Sequence, residues 1–427
     1  MAPRSFRPAA SPLPTSRWGR LARLAAVGAR TGAGLLSTGE GAAEYAAEVL
    51  GTMRGLAAKA GQTLSYVDGI IPEAQREQYQ AALAALRAAA PRSSWSEIRA
   101  LIEAELGLPI AELFAELEPE PFASASIGQV HRGRTRQGQP VAVKVQHPGV
   151  AAAIDADLSN ARALKSVLSR LAPRSMDVEA VFAEVSLRLR EELDYALEAE
   201  HQRAFAALHA GDPSIRIPAV ISECSSLRVL TTQLAAGEAL EVAATRPEAM
   251  RRNYAETLWR FVFKSNLVAG MFNADPHPGN YLFDAGGSVT FLDFGCVQPC
   301  DPRLLPTARA LHRAALERDE AAFERAVIEH LGLRGGEYQT LAVAYSRRCF
   351  EPLFASPFRL TREYSASLVS EIQRLKKAIW SKDESFVQLP PTLILLNRLQ
   401  FGFYSVLARL DVSVDYAALE RSFLDAF

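Results

Sequence analysis

Asn273-Ala274-Asp275-Pro276-His277-Pro278-Gly279-Asn280, followed by Phe291-Leu292-Asp293-Phe294-Gly295, is the stretch on which the reading of this 427-residue chain turns. Asp275 and Asn280 keep the D-x-x-x-x-N spacing of a phosphoryl-transfer loop, and Asp293 heads a D-F-G turn. The chemistry accounts for the residue types. Phosphoryl transfer needs a carboxylate near the acceptor, plus carboxylate and amide oxygens on the magnesium that neutralises the phosphates. Two prolines and a glycine inside the loop suit a fixed turn better than helix or strand. A D-F-G alone fits any strand-end turn. Set after an Asp-x4-Asn loop, across the short apolar runs Tyr281-Leu282-Phe283 and Val289 to Leu292, it reads as part of a nucleotide site.

Working outward, Val141-Ala142-Val143-Lys144 puts a lysine directly after an alternating apolar strand, which is costly unless the ammonium has an anionic partner. Upstream, Ala123-Ser124-Ala125-Ser126-Ile127-Gly128-Gln129-Val130 has the frame G-x-G-x-x-G-x-V of a kinase nucleotide loop, with Ala in the first two glycine positions. Small residues let backbone N–H groups approach phosphate oxygens. Ala restricts φ more than Gly, so a stiffer loop is expected. Lys144 needs a helix glutamate, and Glu192 and then Glu184 are the candidates, eight residues apart on one face of a helix. His131, His147 and His277 stand beside turns and are read as structural.

Composition narrows the classes of function. With 47 Lys plus Arg against 48 Asp plus Glu the net charge is −1, which gives no basis for a dedicated nucleic-acid binder. Only seven of the basic residues are lysines, so each lysine merits individual attention. Four scattered cysteines form no disulfide framework, and Cys296 with Cys300 lacks a His or Cys partner at zinc-ligand spacing. A reducing, cytoplasmic setting is expected. The most apolar stretch, Pro391 to Leu410, is interrupted by Asn397, Arg398 and Gln400 and reads as a buried or amphipathic helix.

Along the chain, residues 1–41 carry six arginines before the first acid, Glu40. They read as a flexible basic arm or a helix on an anionic membrane surface, with an organelle transit peptide as the alternative. Residues 42–116 read as a helical extension: helices from Ala42 to Leu64 and Glu73 to Ala90, then one opened by the capping box Ser94-Trp95-Ser96-Glu97 and stopped at Gly107. Residues 117–236 read as a small β-rich lobe. It holds strands from Ser126 to Arg134 and Gln139 to Gln146, helices from Val150 to Ala172 and Asp177 to about Leu208, and strands Ile217 to Ser222 and Leu227 to Gln233. Residues 237–427 read as a larger helical lobe, interrupted only by the two short apolar runs above. The fold class is α+β, bilobal and kinase-like.

Lys59-Ala60-Gly61-Gln62 is a K-x-G-Q, absent from ordinary protein kinases. Together with the Ala-rich loop, Val143-Lys144-Val145-Gln146-His147-Pro148-Gly149, Glu192-Leu193-Asp194 and Asp275 to Asn280, it makes the chain resemble the UbiB/ADCK (AarF-type) atypical kinase-like family. The motifs run from about residue 45 to 300. The resemblance implies ATP or ADP as ligand, with Mg2+. Lys144 would contact phosphates, Asp275 would stand at the catalytic aspartate, and Asn280 and Asp293 would hold the metal. The loop Ala123, Ser124, Ala125, Ser126, Ile127 and Gly128, with Val130, Gln233 and Leu234, would make the remaining nucleotide contacts. Lys59 and Gln62 would lie beside the phosphates, partnered by Glu192 and Asp194.

The resemblance further implies ATPase activity supporting isoprenoid-quinone or related lipid metabolism, with an isoprenoid or other lipid as partner and peripheral membrane contact. A nucleotide-sensing pseudokinase and a kinase with its own acceptor are the rival readings. One departure stands out: Asn273 replaces the histidine that the family carries two residues before the catalytic aspartate.

Overall fold

The computed structural model describes residues 93–125, 127–156, 158–159, 178–380 and 402–425. Lys59, Gln62, Ser126 and the helices expected before residue 93 lie outside them. The chain divides into two compact units. Among the described residues the first holds 149–156 and 158–159, helical from residue 150, with Val150, Ile154 and Leu158 on one buried stripe. The second holds the rest, and everything below concerns it.

Its small lobe is a sheet backed by one helix. Helix α1 (Trp95–Leu106) opens on the expected capping box, with Ser94 and Glu97 each bonding the other's backbone, and stops at left-handed Gly107. Strands β1 (Phe114–Leu117) and β2 (Ala123–Ser124) share one edge of β3 (Gly128–Thr135). On the other side of β3, β4 (Pro140–Gln146) pairs antiparallel, followed by β6 (Val229–Gln233). Period-two alternation in β4 sends Val141, Val143 and Val145, all fully buried, toward Ile98, Leu101 and Ile102 of α1. Ala142 and Lys144 therefore face the other way. Arg228 and Ser226 hold Glu105 of α1 and tie helix to sheet.

The run expected as one helix from Asp177 to Leu208 is two: α2 (Val178–Glu191) and α3 (Tyr195–Leu208). The chain breaks at residues 192–194, where Asp194 Oδ1 accepts the Leu197 N–H at 2.9 Å as an N-cap. The expected strand from Ile217 to Ser222 is also corrected. Pro218 cannot donate to a ladder, and only Val220 bridges Thr232. The strand lies earlier, as β5 (Ile215–Arg216), and runs parallel to residues 289–290 of the larger lobe.

The large lobe is built on α4 (Glu248–Leu267), whose Tyr254, Leu258, Trp259, Phe261 and Val262 sit in one extensive apolar core. Strands β8 (Tyr281–Phe283) and β9 (Val289–Phe291) match the two apolar runs of the sequence. Two further small ladders, β7 (Met271–Asn273) with β10 (Val297–Pro299) and β11 (Phe358–Arg359) with β12 (Ser413–Val414), overturn the expectation of only two interruptions there. Met271-Phe272-Asn273 and Val297-Gln298-Pro299 carry no apolar run long enough to mark a strand. Helices α5 (Leu305–Glu317), α6 (Glu320–Leu331), α7 (Gly336–Cys349) and α8 (Arg362–Trp380), the helical residues 402–410 and a final helix Tyr416–Leu424 complete the lobe. No helix among the described residues is long and apolar enough to cross a membrane.

Candidate active site

Lys144 stands opposite Val130 and Leu230 in the ladder and reaches away from the valine face toward the large lobe. Its Nζ donates to both oxygens of Glu198, at 2.8 and 2.9 Å, and lies 3.6 Å from Asp293 Oδ2. The same ammonium sits 4.9 Å from the centroid of the Tyr195 ring. Burial by itself would favour loss of the lysine proton. The charges of Asp293 and Glu198 outweigh it and hold the ammonium well above its ordinary pKa. Lys144 therefore stays a cation at any physiological pH.

The glutamate is a correction. Glu198, and not Glu192, pairs with Lys144. Glu184 lies within α2, and Glu192 falls in the break between α2 and α3, half-buried, with its backbone N–H on Arg188. Asp194 caps α3 and so aims its first turns, which carry Glu198, at the lysine. A signal for Glu198 existed. The buried face of α3 reads Tyr195, Glu198, Ala199, Gln202, Phe205, so an acid occupies an apolar helical stripe. Reading residues 177–208 as one helix concealed that stripe.

Below the lysine, Asn273 holds together the two motifs that opened the sequence reading. Its Nδ2 donates to the Asp293 carbonyl at 2.7 Å and its Oδ1 accepts the Asp275 N–H at 3.1 Å. The amide thus bonds the backbone of both motifs from the position where the family has histidine. Asn280 Nδ2 donates to the Asp275 carbonyl at 3.1 Å and to its Oδ2 at 3.3 Å. The Ala274 N–H bonds to the Cys296 carbonyl, so the β7–β10 ladder clamps both arms of the site.

Asp293 adopts φ 59°, a left-handed conformation rare outside glycine, and its Oδ1 accepts the Gly295 N–H at 3.1 Å. Phe294 anchors this turn. It is fully buried against Phe205, with ring centroids 5.2 Å apart, and His201 Nδ1 donates to its carbonyl at 3.3 Å. Helix α3 thus supplies both the lysine's partner and the socket for Phe294, neither of which the spacing of motifs revealed.

The Ala-rich loop is a tight hairpin tip. Ala123 pairs with Val130, Ser124 with Gln129, and the Ala125 N–H bonds to the Gly128 carbonyl. Ala123 and Ser124 are exposed, whereas Ile127 is buried and its carbonyl accepts the His147 N–H. A Cβ at Gly128 would lie 2.3 Å from the Val145 carbonyl oxygen, so only glycine fits there. Gln233 ends β6 and Leu234 follows it, their N–H groups bonded to the Ala219 and Pro140 carbonyls, with the Gln233 side chain accepting from the Ala219 N–H.

The donor set fits a magnesium nucleotide. Among the described residues no three His, Cys, Asp or Glu side chains stand together to hold a metal ion. Asp293 and Asn280 offer one carboxylate and one amide, a set that phosphate oxygens complete. The Asp293 side chain is two-fifths exposed and faces the buried Lys144.

Comparison with known proteins places the chain in a family. Residues 85–327 match the family described as ABC1 atypical kinase-like domain. The rat protein named atypical kinase COQ8B, mitochondrial, is 38% identical over 264 residues, 60% of this chain and 48% of its own. The uncharacterized protein Rv0647c of Mycobacterium tuberculosis is 32% identical over 352 residues, 80% of this chain and 69% of that one. Matches to three curated relatives cover 29%, 48% and 36% of their lengths. Among solved structures, the Mycobacterium tuberculosis protein Rv3197, in complex with erythromycin, superposes with a TM-score of 0.64 at 28% identity, covering 94% of this chain and 98% of that one. With the small sheet lobe, the helical lobe and the motifs between them in place, the chain belongs to the UbiB/ADCK, or ABC1 atypical kinase-like, family.

Proposed function

We propose that the chain binds ATP with Mg2+ and hydrolyses it, in support of isoprenoid-quinone or related lipid metabolism. The observation that carries the reading is the unbroken link from Lys144 through Asp293 and Asn273 to Asp275 and Asn280. Bound magnesium would supply the positive charge that offsets the phosphate oxygens. Lys144, held cationic, binds the phosphates from the small lobe. Asp293 and Asn280 hold the metal from the large lobe. Asp275, fixed through its backbone by Asn273 and Asn280, accepts the proton of the attacking water or hydroxyl. Nucleotide contacts from the Ala123–Gly128 loop, Val130, Gln233 and Leu234, and phosphate-side contacts from Lys59 and Gln62, belong to the same proposal. The lipid partner and peripheral membrane contact rest on the family resemblance.

A nucleotide sensor without turnover is the second reading, favoured by the tight, clamped tip of the Ala-rich loop. One measurement separates them: phosphate release from ATP, with and without lipid vesicles or detergent, for wild type and Asp293→Asn. The ATPase reading expects release by wild type and a loss of about a hundredfold or more in the variant. Equal release by both proteins removes it, and binding without release supports the sensor.

A further inference from the structure

The hydroxyl of Tyr195 has no use in anything described so far. The side chain is 1% exposed and its Oη has no hydrogen-bond partner. A buried hydroxyl left unpaired is expensive, and such groups in a native fold call for an explanation. Its position narrows the explanation. Tyr195 is the first residue of α3, three before Glu198, and the Lys144 ammonium lies over its ring. The hydroxyl lies beneath Gly128, at the end of the nucleotide loop: a Cβ there would be 2.9 Å from Oη. Gly128 and Lys144 belong to the same face of the sheet, because Gly128 pairs with Gln146 and Val130 with Lys144. Burial pushes the phenol far above its ordinary pKa, so it is a donor at every physiological pH.

We propose that the Tyr195 hydroxyl is a phosphate-binding group, donating a hydrogen bond to a phosphate oxygen of the bound nucleotide beside Lys144. The inference rests on the nucleotide reading above. Three features fit the ligand chemistry. Phosphate oxygens only accept, and the hydroxyl has a proton to give. The neighbouring ammonium carries the charge that a phosphate requires. No side chain stands between the Gly128 backbone and Oη, since a Cβ there would lie 2.9 Å from it. Tyr195 thereby links loop and lysine: a nucleotide with phosphates engages both, and one without them has no reason to.

The test is Tyr195→Phe, read by calorimetric binding of adenosine, ADP and ATP and by melting temperature without nucleotide. The proposal expects affinity for ADP and ATP to fall about tenfold, with adenosine unchanged. It also expects the nucleotide-free melting temperature to hold or rise, because removing an unpaired hydroxyl relieves a buried polar group. Unchanged ADP and ATP affinity in the variant overturns the inference and leaves the nucleotide reading intact. Equal loss for adenosine, or a lower melting temperature without nucleotide, overturns it in favour of a structural hydroxyl. No nucleotide binding by the wild type removes both.

Discussion

Lys144 is held by two carboxylates of unequal standing. Glu198 is nearly fully buried and bonds the ammonium through both oxygens, whereas Asp293 is more exposed and 3.6 Å away. Removing one member of a buried pair leaves the other uncompensated, so Glu198→Gln is expected to cost about 3 kcal/mol in urea denaturation. Glu200→Gln, on the exposed face of the same helix, should cost less than about 1 kcal/mol, the ordinary range for a surface substitution. Equal costs would remove Glu198 as the partner. Asn273 has a different role, since its contacts go to the backbone of Asp275 and Asp293. Asn273→Ala should lower phosphate release about tenfold or more while nucleotide affinity changes little, a split between kcat and Kd. At this scale Lys144, Asp275, Asn280 and Asp293 were legible as candidates, because a nucleotide site of the proposed kind restricts both residue type and spacing. Glu198 was not legible, because its pairing depends on where a helix starts, and Asn273's bracing role needed a fold to bring two loops to one amide.

Elements place these residues through packing that is often backbone-close. The helical residues 402–410 are seated by Phe403, Tyr404, Leu407 and Leu410, all buried, and the Tyr404 hydroxyl donates to the Cys349 carbonyl at 3.0 Å. At their start, Gly402 lies against Pro276, the residue after Asp275. A Cβ there would be 2.4 Å from the proline Cγ. Gly402→Ala must therefore move either the helix or the loop. It is expected to destabilise the protein by about 1–3 kcal/mol in urea denaturation and to lower kcat about tenfold, with less effect on nucleotide affinity. Wild-type stability and turnover in the variant would show that this contact does not set the loop. The alternation of β4 and the capping box of α1 were readable, because both are local patterns of period or spacing. The break before α3 was misread because the apolar spacing continues across it and only Asp194 marks the new start.

Across the molecule, two apolar cores of unequal size flank the site, the smaller between sheet and α1, the larger around α4. Two histidines, His209 buried and His330 half-buried, make stability depend on pH. Burial holds His209 and His330 at about 4, below the ordinary 6.5. As pH falls below 6.5 the unfolded chain takes up these protons and the folded chain does not. The stability they contribute is thus present above pH 6.5 and lost as pH falls toward 4, on the order of 3 kcal/mol for each histidine. Urea midpoints at pH 7.5, 5.5 and 4.5 should decline in that order, and His209→Gln should flatten the decline. A flat profile in the wild type would contradict the assignment. By itself the amino-acid sequence determined the family, the catalytic and metal-site candidates and the longer strands of the small lobe, because those depend on chemistry at short separations along the chain. Only the tertiary structure decided that Glu198 holds Lys144, that Asn273 bonds both motifs and that Tyr195 lies beneath Gly128. Those contacts join segments distant in sequence, and burial and packing rather than local spacing choose the partners.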